Sequence, residues 1–293
     1  MSACIIVSPV EASAEAELAA KLHVVDPAQP QVSVLDLGVT RGDGIFEVLG
    51  VVNGQPQAVD AHLRRLGVSA AMLDLPKLDL EAIRAAIYQV VELSEKHDEF
   101  SVKVIVTRGI EGSGVATAWV LSFKAPDDFA AERAEGIKVV LLDRGHPHDI
   151  AARAPWLLAG AKTLSYAVNK AVLREAARRG ADDVVFTSSD GYLLEGPSAS
   201  LILKFGNKIW TPATAQGILP GTTQGAAFEY FSDAGFATAQ VLLRTEQLWD
   251  ADAAWLTSSG RMLVPICEVD GRPIPVDHAL TEAGNAALLA RTN

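Results

Sequence analysis

Hydrophobic and polar residues along the chain follow two periods, one typical of half-buried strands and one typical of amphipathic helices. Strands are predicted at 44–52, 100–109, 118–123, 137–142, 183–187, 200–204, 208–211, 239–243 and 253–257. Helices are predicted to begin near residue 60 and to cover 79–96, 165–179 and 222–234. Asn53-Gly54, directly after the first strand, predicts a hairpin turn. The pattern indicates an α+β mixture in both halves, without the regular strand–helix alternation of a parallel doubly wound sheet.

A polar, proline-containing stretch divides the chain. Residues 126–135 are predicted to form a linker, because charged and small residues interrupt the apolar pattern there. We therefore expect a smaller N-terminal α/β domain over 1–125 and a larger C-terminal domain over 136–293, which would carry Lys162.

Composition narrows the class of protein. The 293 residues are 49% hydrophobic and 21% charged, as in compact globular proteins, and a net charge of -11 argues against a nucleic-acid partner. Cys4 and Cys267 are far apart and the histidines are scattered, so we expect neither a disulfide framework nor a metal site. We see no signal-peptide pattern and no apolar run near the roughly 20 residues of a membrane span. The expectation is a soluble cytoplasmic protein without a membrane partner.

Lys162 and Glu195 form the most informative pair of residues. Lys162 follows six uncharged residues, and Glu195 comes 33 residues later, before a Gly-Pro turn. Pyridoxal phosphate chemistry needs such a pair, because a lysine amine forms a Schiff base and an acidic partner keeps the ring nitrogen protonated. Each residue alone has an ordinary alternative, a surface lysine or a strand-end carboxylate.

Three segments could bind an anion such as phosphate. Thr222 and Thr223 follow a Pro-Gly turn at the predicted start of a helix, where backbone N–H groups lack partners. A hydroxyl cluster at 257–260 includes Ser259, and Arg65 is a potential bidentate donor. The ordinary alternatives are a helix N-cap, a polar loop and a solvated helix face.

Arg108 is the candidate for binding a substrate. It ends a predicted strand beside Gly109, a position suited to holding a carboxylate, although a surface strand terminus has the same pattern. No Gly-X-Ser-X-Gly elbow and no Walker loop occurs in the sequence, so we find no competing hydrolase or nucleotide-binding signature.

Taken in order, these segments resemble the class IV aminotransferases, the fold-type IV pyridoxal phosphate enzymes. The family includes branched-chain aminotransferases, D-amino acid aminotransferases and aminodeoxychorismate lyases. The resemblance runs from Arg41-Gly42-Asp43-Gly44-Ile45-Phe46-Glu47 to Pro265 and the Val269-Asp270-Gly271 turn. Each motif is loose by itself, but five of them in family order are specific.

The resemblance implies a fold and a set of roles. The fold would be α+β or α/β, with two domains, the cofactor pyridoxal 5′-phosphate in the interdomain cleft, and a homodimer as the usual assembly. Lys162 matches the catalytic Schiff-base lysine, and Glu195 matches the partner of the ring nitrogen. The remaining cofactor contacts would come from Arg65, Thr222, Thr223 and Ser259 to the phosphate, and from Tyr166 to the pyridoxal hydroxyl.

The sequence leaves the branch of the family open. The 102–109 segment, with its Thr107-Arg108-Gly109 ending, resembles the lyases and the D-amino acid enzymes, and branched-chain enzymes usually lack that ending. The 158–165 segment looks closer to the lyases. The first choice is therefore aminodeoxychorismate lyase, which releases 4-aminobenzoate and pyruvate for folate synthesis. An aminotransferase for D-amino acids or branched-chain amino acids is the alternative. Ser200 and Gln224 depart from residues that many members carry, which weakens any transfer of substrate preference.

Overall fold

The computed structural model describes residues 2–12, 17–124 and 129–291. The chain divides into two compact units. Among the described residues, the first unit comprises 2–12, 17–124 and Ala161–Tyr166, and the second comprises 129–160 and Ala167–Arg291.

The first unit contains an antiparallel sheet of six strands. These are β1 (Cys4–Val7), β2 (Leu22–Val25), β3 (Gly44–Val52), β4 (Gln55–Pro56), β5 (Glu99–Thr107) and β6 (Thr117–Phe123). Their order across the sheet is β2-β1-β6-β5-β3-β4. Its described helices are α1 (Leu37–Thr40), α2 (Val59–Met72) and α3 (Leu80–Leu93).

Alternation and helical spacing explain the core of the first unit. Val102, Val104 and Val106 recur every second residue of β5 and are buried on one face of the strand. Ile83 and Ile87 lie one turn apart on α3 and are fully buried. Helices α2 and α3 both pack against the sheet.

The predicted hairpin is confirmed. Val52 pairs with Gln55 across a two-residue turn, and Asn53 and Gly54 both have positive φ, 48° and 76°. This is the backbone that a tight turn of matching twist requires, and asparagine followed by glycine adopts it at low cost.

The second unit contains an eight-stranded sheet. Its strands are β7 (Ile137–Asp143), β8 (Asp183–Thr187), β9 (Ser200–Phe205), β10 (Lys208–Pro212), β11 (Ala237–Val241), β12 (Ala253–Ser258), β13 (Met262–Val269) and β14 (Arg272–Pro273). Seven strands run in the order β11-β10-β9-β12-β13-β7-β8, and β14 pairs with β13. The pairs β10–β11, β13–β7 and β7–β8 are parallel, and the others are antiparallel.

The helices of the second unit are α4 (Ala130–Glu135), α5 (Ile150–Arg153), α6 (Ala167–Arg178), α7 (Thr222–Asp233) and α8 (His278–Ala290). The central strands carry continuous apolar runs, such as Leu201–Leu203 in β9, because both of their faces are buried. Short 3-10 turns cover Leu18–Lys21 in the first unit and Pro155–Leu157, Thr214–Gln216 and Thr245–Asp250 in the second.

The mixed α+β character in both halves is confirmed, but the structure differs from the predicted domain division in two respects. Residues 126–128 of the predicted linker lie outside the described residues, and Ala130–Glu135 form α4 instead of irregular chain. Lys162 was expected in the C-terminal domain, whereas residues Ala161–Tyr166 cluster with the first unit. The reason is backbone pairing of this segment with β3, where Ile45 bridges Thr163.

Across 2–12, 17–124 and 129–291, no helix is both long and apolar enough to cross a bilayer.

Candidate active site

The backbone of Lys162 is held on two sides. Its carbonyl accepts a hydrogen bond from the Phe46 N–H of β3 at 3.0 Å, and its own N–H donates to Ser69 Oγ of α2 at 3.1 Å. A further bond, from the Leu164 N–H to the Gly44 carbonyl, extends the pairing with β3. The backbone that carries the Lys162 side chain is therefore fixed within the first unit.

Two aromatic rings surround the amine of Lys162. Its Nζ lies 4.4 Å from the centre of the Phe46 ring and 6.0 Å from that of Tyr166. The two rings meet edge to face, with centroids 5.2 Å apart and planes at 81°. The structure thus brings Lys162 and Tyr166 together, and the ring faces attract the amine when it is charged.

A buried ionic cluster lies behind the same strand. Glu47 of β3 receives the Nε–H of Arg65 at 2.7 Å and one Nη2–H at 2.6 Å. His62 Nδ1 lies 2.7 Å from the second carboxylate oxygen. The three side chains are 1%, 9% and 1% exposed, in the order Glu47, Arg65, His62. Arg65, the predicted phosphate ligand, is therefore oriented by a bidentate carboxylate.

Burial and pairing act in opposite directions on this cluster. Burial alone would raise the pKa of Glu47, but the hydrogen bonds from Arg65 and His62 outweigh it and lower the pKa to about 2. Burial lowers the pKa of His62, because the charged imidazolium loses its water, and this outweighs the hydrogen bond with Glu47. Glu47 is therefore charged at neutral pH, and His62 is neutral.

Helix α2 connects this cluster to the lysine. His62, Arg65 and Ser69 stand three and then four residues apart, which places them on one face of the helix. That face holds both the Glu47 carboxylate and the backbone of Lys162.

In the second unit, Glu195 is fixed through its backbone and its carboxylate. Its carbonyl accepts from the Phe186 N–H at 2.9 Å. One carboxylate oxygen, Oε2, accepts from the Leu219 N–H at 3.1 Å, and the other, Oε1, lies 3.7 Å from Nη1 of Arg144. The side chain is 13% exposed.

Helix α7 begins as the sequence indicates. Gly221 is its N-cap and has no side chain to cap the first N–H groups. Thr222 and Thr223 are the first two residues of the helix. Gly221 lies so close to Ser200 Oγ that any Cβ at residue 221 would overlap it. Thr223 is 1% exposed, and among the described residues its hydroxyl has no hydrogen-bond partner.

The end of β12 lies at the same edge of the second unit. Ser200, which touches Gly221, pairs in register with Thr257. Thr257 is 2% exposed, and its hydroxyl also has no partner within the part of the chain that the structure describes. Ser259 follows in the three-residue loop between β12 and β13.

These features fit a phosphate group. Buried hydroxyls rarely stay without a hydrogen bond, and the first turn of a helix presents N–H groups that favour an anion. Thr223 and Thr257 are such hydroxyls, and Thr223 stands in the first turn of α7. The residues present in the second unit therefore suit the phosphate of a cofactor.

Two glycines bring the chain just before Lys162 against the loop that leads to α7. A Cβ at Gly217, whose φ is 76°, would stand 2.7 Å from the Ala159 Cβ. A Cβ at Gly160 would stand 3.5 Å from the Ile218 carbonyl oxygen. Only glycine permits this spacing at residue 217, because a side chain would meet both strain and a clash.

Arg108 is engaged within the first unit. Its Nε donates to Asp43 at 2.6 Å, Nη2 donates to the Leu73 carbonyl at 2.6 Å, and Nη1 donates to the Asp74 carbonyl at 3.3 Å. Hydrogen bonding to Asp43 raises the pKa of the guanidinium. A substrate carboxylate would have to replace Asp43, so the substrate-binding role of Arg108 stays a prediction beside a clear structural one.

Several residues of these clusters were not identified as site candidates from the sequence. Glu47 lies in a segment that carries the family resemblance, but its pairing becomes evident only in the fold. The same holds for His62, Ser69 and Arg144, which lie in no recognised motif. Thr257 lay in the hydroxyl cluster that the sequence indicated, but its buried hydroxyl becomes evident only in the fold.

Comparison with known proteins identifies the family. The sequence model of the family described as amino-transferase class IV matches residues 44–269. The chain belongs to the class IV aminotransferase family. It is 39% identical, over 92% of its length and 97% of the relative's, to a bifunctional aminodeoxychorismate lyase / D-amino acid transaminase of Mycobacterium tuberculosis.

Solved structures agree with this assignment. A fold IV-transaminase from Curtobacterium pusillum matches with a TM-score of 0.95 and 47% identity, covering 100% of both chains. The PLP-bound form of a hypothetical aminotransferase from Mycobacterium tuberculosis matches with a TM-score of 0.88 and 38% identity, over 97% of this chain and 98% of the other. The class IV protein is thus an enzyme that uses pyridoxal phosphate and acts on small amine and carboxylate substrates.

Proposed function

We propose that this class IV enzyme is an aminodeoxychorismate lyase that also transaminates D-amino acids. The observation that carries the proposal is its 39% identity, across nearly the whole of both chains, to a relative named for both activities. The resemblance of the 158–165 segment to the lyases, and of the 102–109 segment to the lyases and the D-amino acid enzymes, supports the same choice.

Each predicted site residue has a task in this proposal. Bound pyridoxal phosphate withdraws electrons from the amine-bearing carbon of the substrate. Lys162 would bind the cofactor through its amine and, once the substrate amine has displaced it, would remove the proton from that carbon. Glu195 would hold a proton at the ring nitrogen, and Tyr166 would contact the ring hydroxyl. Arg65, Thr222, Thr223 and Ser259 would hold the phosphate.

The substrate determines the outcome after Lys162 has taken the proton. Aminodeoxychorismate carries an enolpyruvyl ether on the carbon next to the reacting carbon. Breaking that ring C–O bond releases enolpyruvate, which takes up a proton to become pyruvate, and the ring becomes aromatic. An ordinary amino acid has no such leaving group, so Lys162 would give its proton back and the amino group would be transferred. One arrangement of residues can therefore support both reactions.

An aminotransferase without lyase activity is the second candidate. The observation that favours it is the fold IV-transaminase of Curtobacterium pusillum, which shares 47% identity over the whole chain. Under this alternative the same residues would serve, and aminodeoxychorismate would not be a substrate.

One experiment separates the two. Freshly prepared aminodeoxychorismate is added to the cofactor-loaded enzyme, and 4-aminobenzoate and pyruvate are followed together. Equal release of both over many turnovers is the result expected. No release, from enzyme that does transfer the amino group of D-alanine to an oxo acid, would leave the aminotransferase.

The proposal extends to assembly and cellular role. We expect a homodimer working in folate synthesis in the cytoplasm. Apolar side chains support an interface on the first unit: Val34, Leu35 and Val39 are 80%, 64% and 63% exposed within one short segment. Ile110 adds to them, because it bridges Asp36 and is 42% exposed.

A further inference from the structure

We propose that Arg144 is a positioning residue for Glu195, and that it keeps the carboxylate charged and aimed for the cofactor. The inference rests on the proposed role of Glu195 at the ring nitrogen. It concerns a residue of the second unit that has no recognisable motif and follows directly after β7.

The position of Arg144 is fixed independently of Glu195. Its backbone N–H donates to the Thr187 carbonyl at the end of β8, at 2.9 Å. Its guanidinium carbon lies 4.9 Å from the centre of the Phe186 ring, which is buried. The planar cation therefore rests on an aromatic face and has little freedom to turn away.

Phe186 also fixes the backbone of Glu195. Its N–H donates to the Glu195 carbonyl and its carbonyl accepts from the Leu194 N–H, both at 2.9 Å. One residue thus holds the guanidinium through its ring and the glutamate through its backbone. The 3.7 Å distance between Arg144 Nη1 and Glu195 Oε1 follows from this shared support.

The carboxylate is then constrained from two directions. Arg144 faces Oε1, and the Leu219 N–H, in the loop before α7, donates to Oε2. At 13% exposure a carboxylate loses much of its water, which disfavours its charged form. A neighbouring cation offsets that loss, and a charged carboxylate is the form that can hold a proton at a ring nitrogen.

The Arg144–Glu195 ion pair is expected to add little to the stability of the fold. The Arg144 side chain is 29% exposed, and ion pairs at such positions contribute little to folding. We therefore expect replacement of Arg144 to affect the Glu195 carboxylate more than the stability of the fold, and cofactor affinity is the quantity that would report it.

The test is the pH dependence of pyridoxal 5′-phosphate affinity, measured by titration of the cofactor-free full chain from about pH 8 to about pH 5. Arg144→Gln removes the charge and leaves a shorter polar side chain with an N–H donor. We expect its affinity to begin falling about one pH unit higher than that of the wild type. Arg144→Lys, which keeps the charge, should restore most of the profile.

Arg84→Gln is the matched control. Arg84 is 32% exposed and pairs with Asp60 at 2.6 Å, so it has similar exposure and a closer partner but no link to Glu195. Its affinity profile should follow the wild type. Circular dichroism of each variant checks that the fold is kept.

A double-mutant cycle tests whether Arg144 acts on cofactor affinity through Glu195. In a Glu195→Gln background, Arg144→Gln should cause no further shift, because no carboxylate remains to be charged. An unshifted profile for Arg144→Gln, or an equal shift in both backgrounds, would overturn the inference while leaving the proposed function standing. If Glu195→Gln itself bound the cofactor like the wild type at every pH, the role of Glu195 would be wrong.

Discussion

At the scale of single residues, the buried carboxylate of Glu47 serves two neighbours at once. It holds the guanidinium of Arg65 with two hydrogen bonds and the imidazole of His62 with a third. Neither charge of the ion pair has much access to water, so each depends on the other. Removing one partner leaves the other buried without this ion pair.

Glu47→Gln should therefore destabilise the fold. Loss of one member of a buried ion pair costs about 3 kcal/mol, because the Arg65 charge keeps its desolvation penalty without the Glu47 carboxylate. The free energy of unfolding, from urea denaturation near neutral pH, measures this. Glu81→Gln is the control, since Glu81 is 75% exposed and pairs only at the surface; an equal loss in both variants would contradict the expectation.

The same cluster predicts the direction of acid sensitivity. Both Glu47 and His62 have lowered pKa values in the fold, so each stabilises the protein fully above its unfolded pKa and less as the pH falls. The His62 contribution should decline below about pH 6.5. The Glu47 contribution should decline between its ordinary 4.5 and about 2.

Denaturation as a function of pH checks this expectation. Stability of the wild type should fall more steeply below pH 4.5 than that of Glu47→Gln, which has no carboxylate to protonate at residue 47. Parallel curves for the two proteins would show that the acid loss arises at other groups.

Replacement of Lys162 should abolish activity and leave the fold intact. In Lys162→Ala, turnover should fall on the order of 10³-fold or more, since the proton-transferring amine is gone. The visible absorption of the lysine-bound cofactor should disappear as well. Lys170→Ala, on the exposed side of α6, is the control and should keep both. A Lys162→Ala protein with unchanged absorption would show that another lysine binds the cofactor.

At the scale of elements, a substitution at the start of α7 should change cofactor affinity without lowering the stability of the protein. Thr223→Val removes a buried hydroxyl that lacks a partner among the described residues, so the cofactor-free protein should melt at the same or a slightly higher temperature. Pyridoxal phosphate affinity should fall about 10- to 100-fold, the effect of losing one hydrogen bond to a charged group.

Thr211→Val should behave in the opposite way. Thr211 is 3% exposed, and its hydroxyl donates to the Leu201 carbonyl at 2.6 Å. We expect lower stability with unchanged cofactor affinity. If Thr223→Val also lost stability and kept its affinity, the hydroxyl of Thr223 would have a structural role only.

Local patterns predicted many elements because their signals lie within a few residues. The β3–β4 hairpin needed only Asn53-Gly54 between two apolar runs, and α3 needed its repeat of buried positions after the N-cap Asp79. The two ends of α7 were likewise predicted to within a residue, by the threonines at its start and the glycine after it.

Other elements depend on packing that no short window contains. The predicted pattern ended at residue 257, yet β13 and α8 follow. Pro265 makes β13 look unlike a central strand, although it lies one residue before pairing with β7 begins at Ile266. Gly284 weakens the helical pattern of α8, and a Cβ there would stand 2.6 Å from the Cδ1 atom of Leu263, so α8 packs closely against β13 at this point.

The residues of the candidate site likewise fall into two groups, those that short motifs predict and those that only the fold reveals. Lys162, Glu195 and the threonines of α7 could be proposed from short motifs and their order. The Glu47–Arg65 pair joins residues 18 positions apart, and the Arg144–Glu195 pair joins residues 51 positions apart, so both required the fold.

At the scale of the whole molecule, the exposed apolar segment predicts self-association. Light scattering after size exclusion should give twice the 31.0 kDa chain mass. Leu35→Glu should shift the protein toward the monomer, because a charge would be buried in the interface. Leu93→Glu is the control, as Leu93 is 50% exposed at the end of α3, outside that segment. A wild type that elutes as a monomer would remove the dimer from the proposal.

Residues Ala161–Tyr166, which pair with β3, affect how this protein could be recombined with its relatives. A cut or fusion near residue 126 separates Lys162 from Phe46 and Ser69, which fix its side chain and its backbone. A chimaera built at that point would keep the lysine of one parent in the surroundings of the other. Exchange of the N-terminal half would then alter the reacting amine without any substitution near it in sequence, and a successful graft would have to carry 161–166 together with β3 and α2.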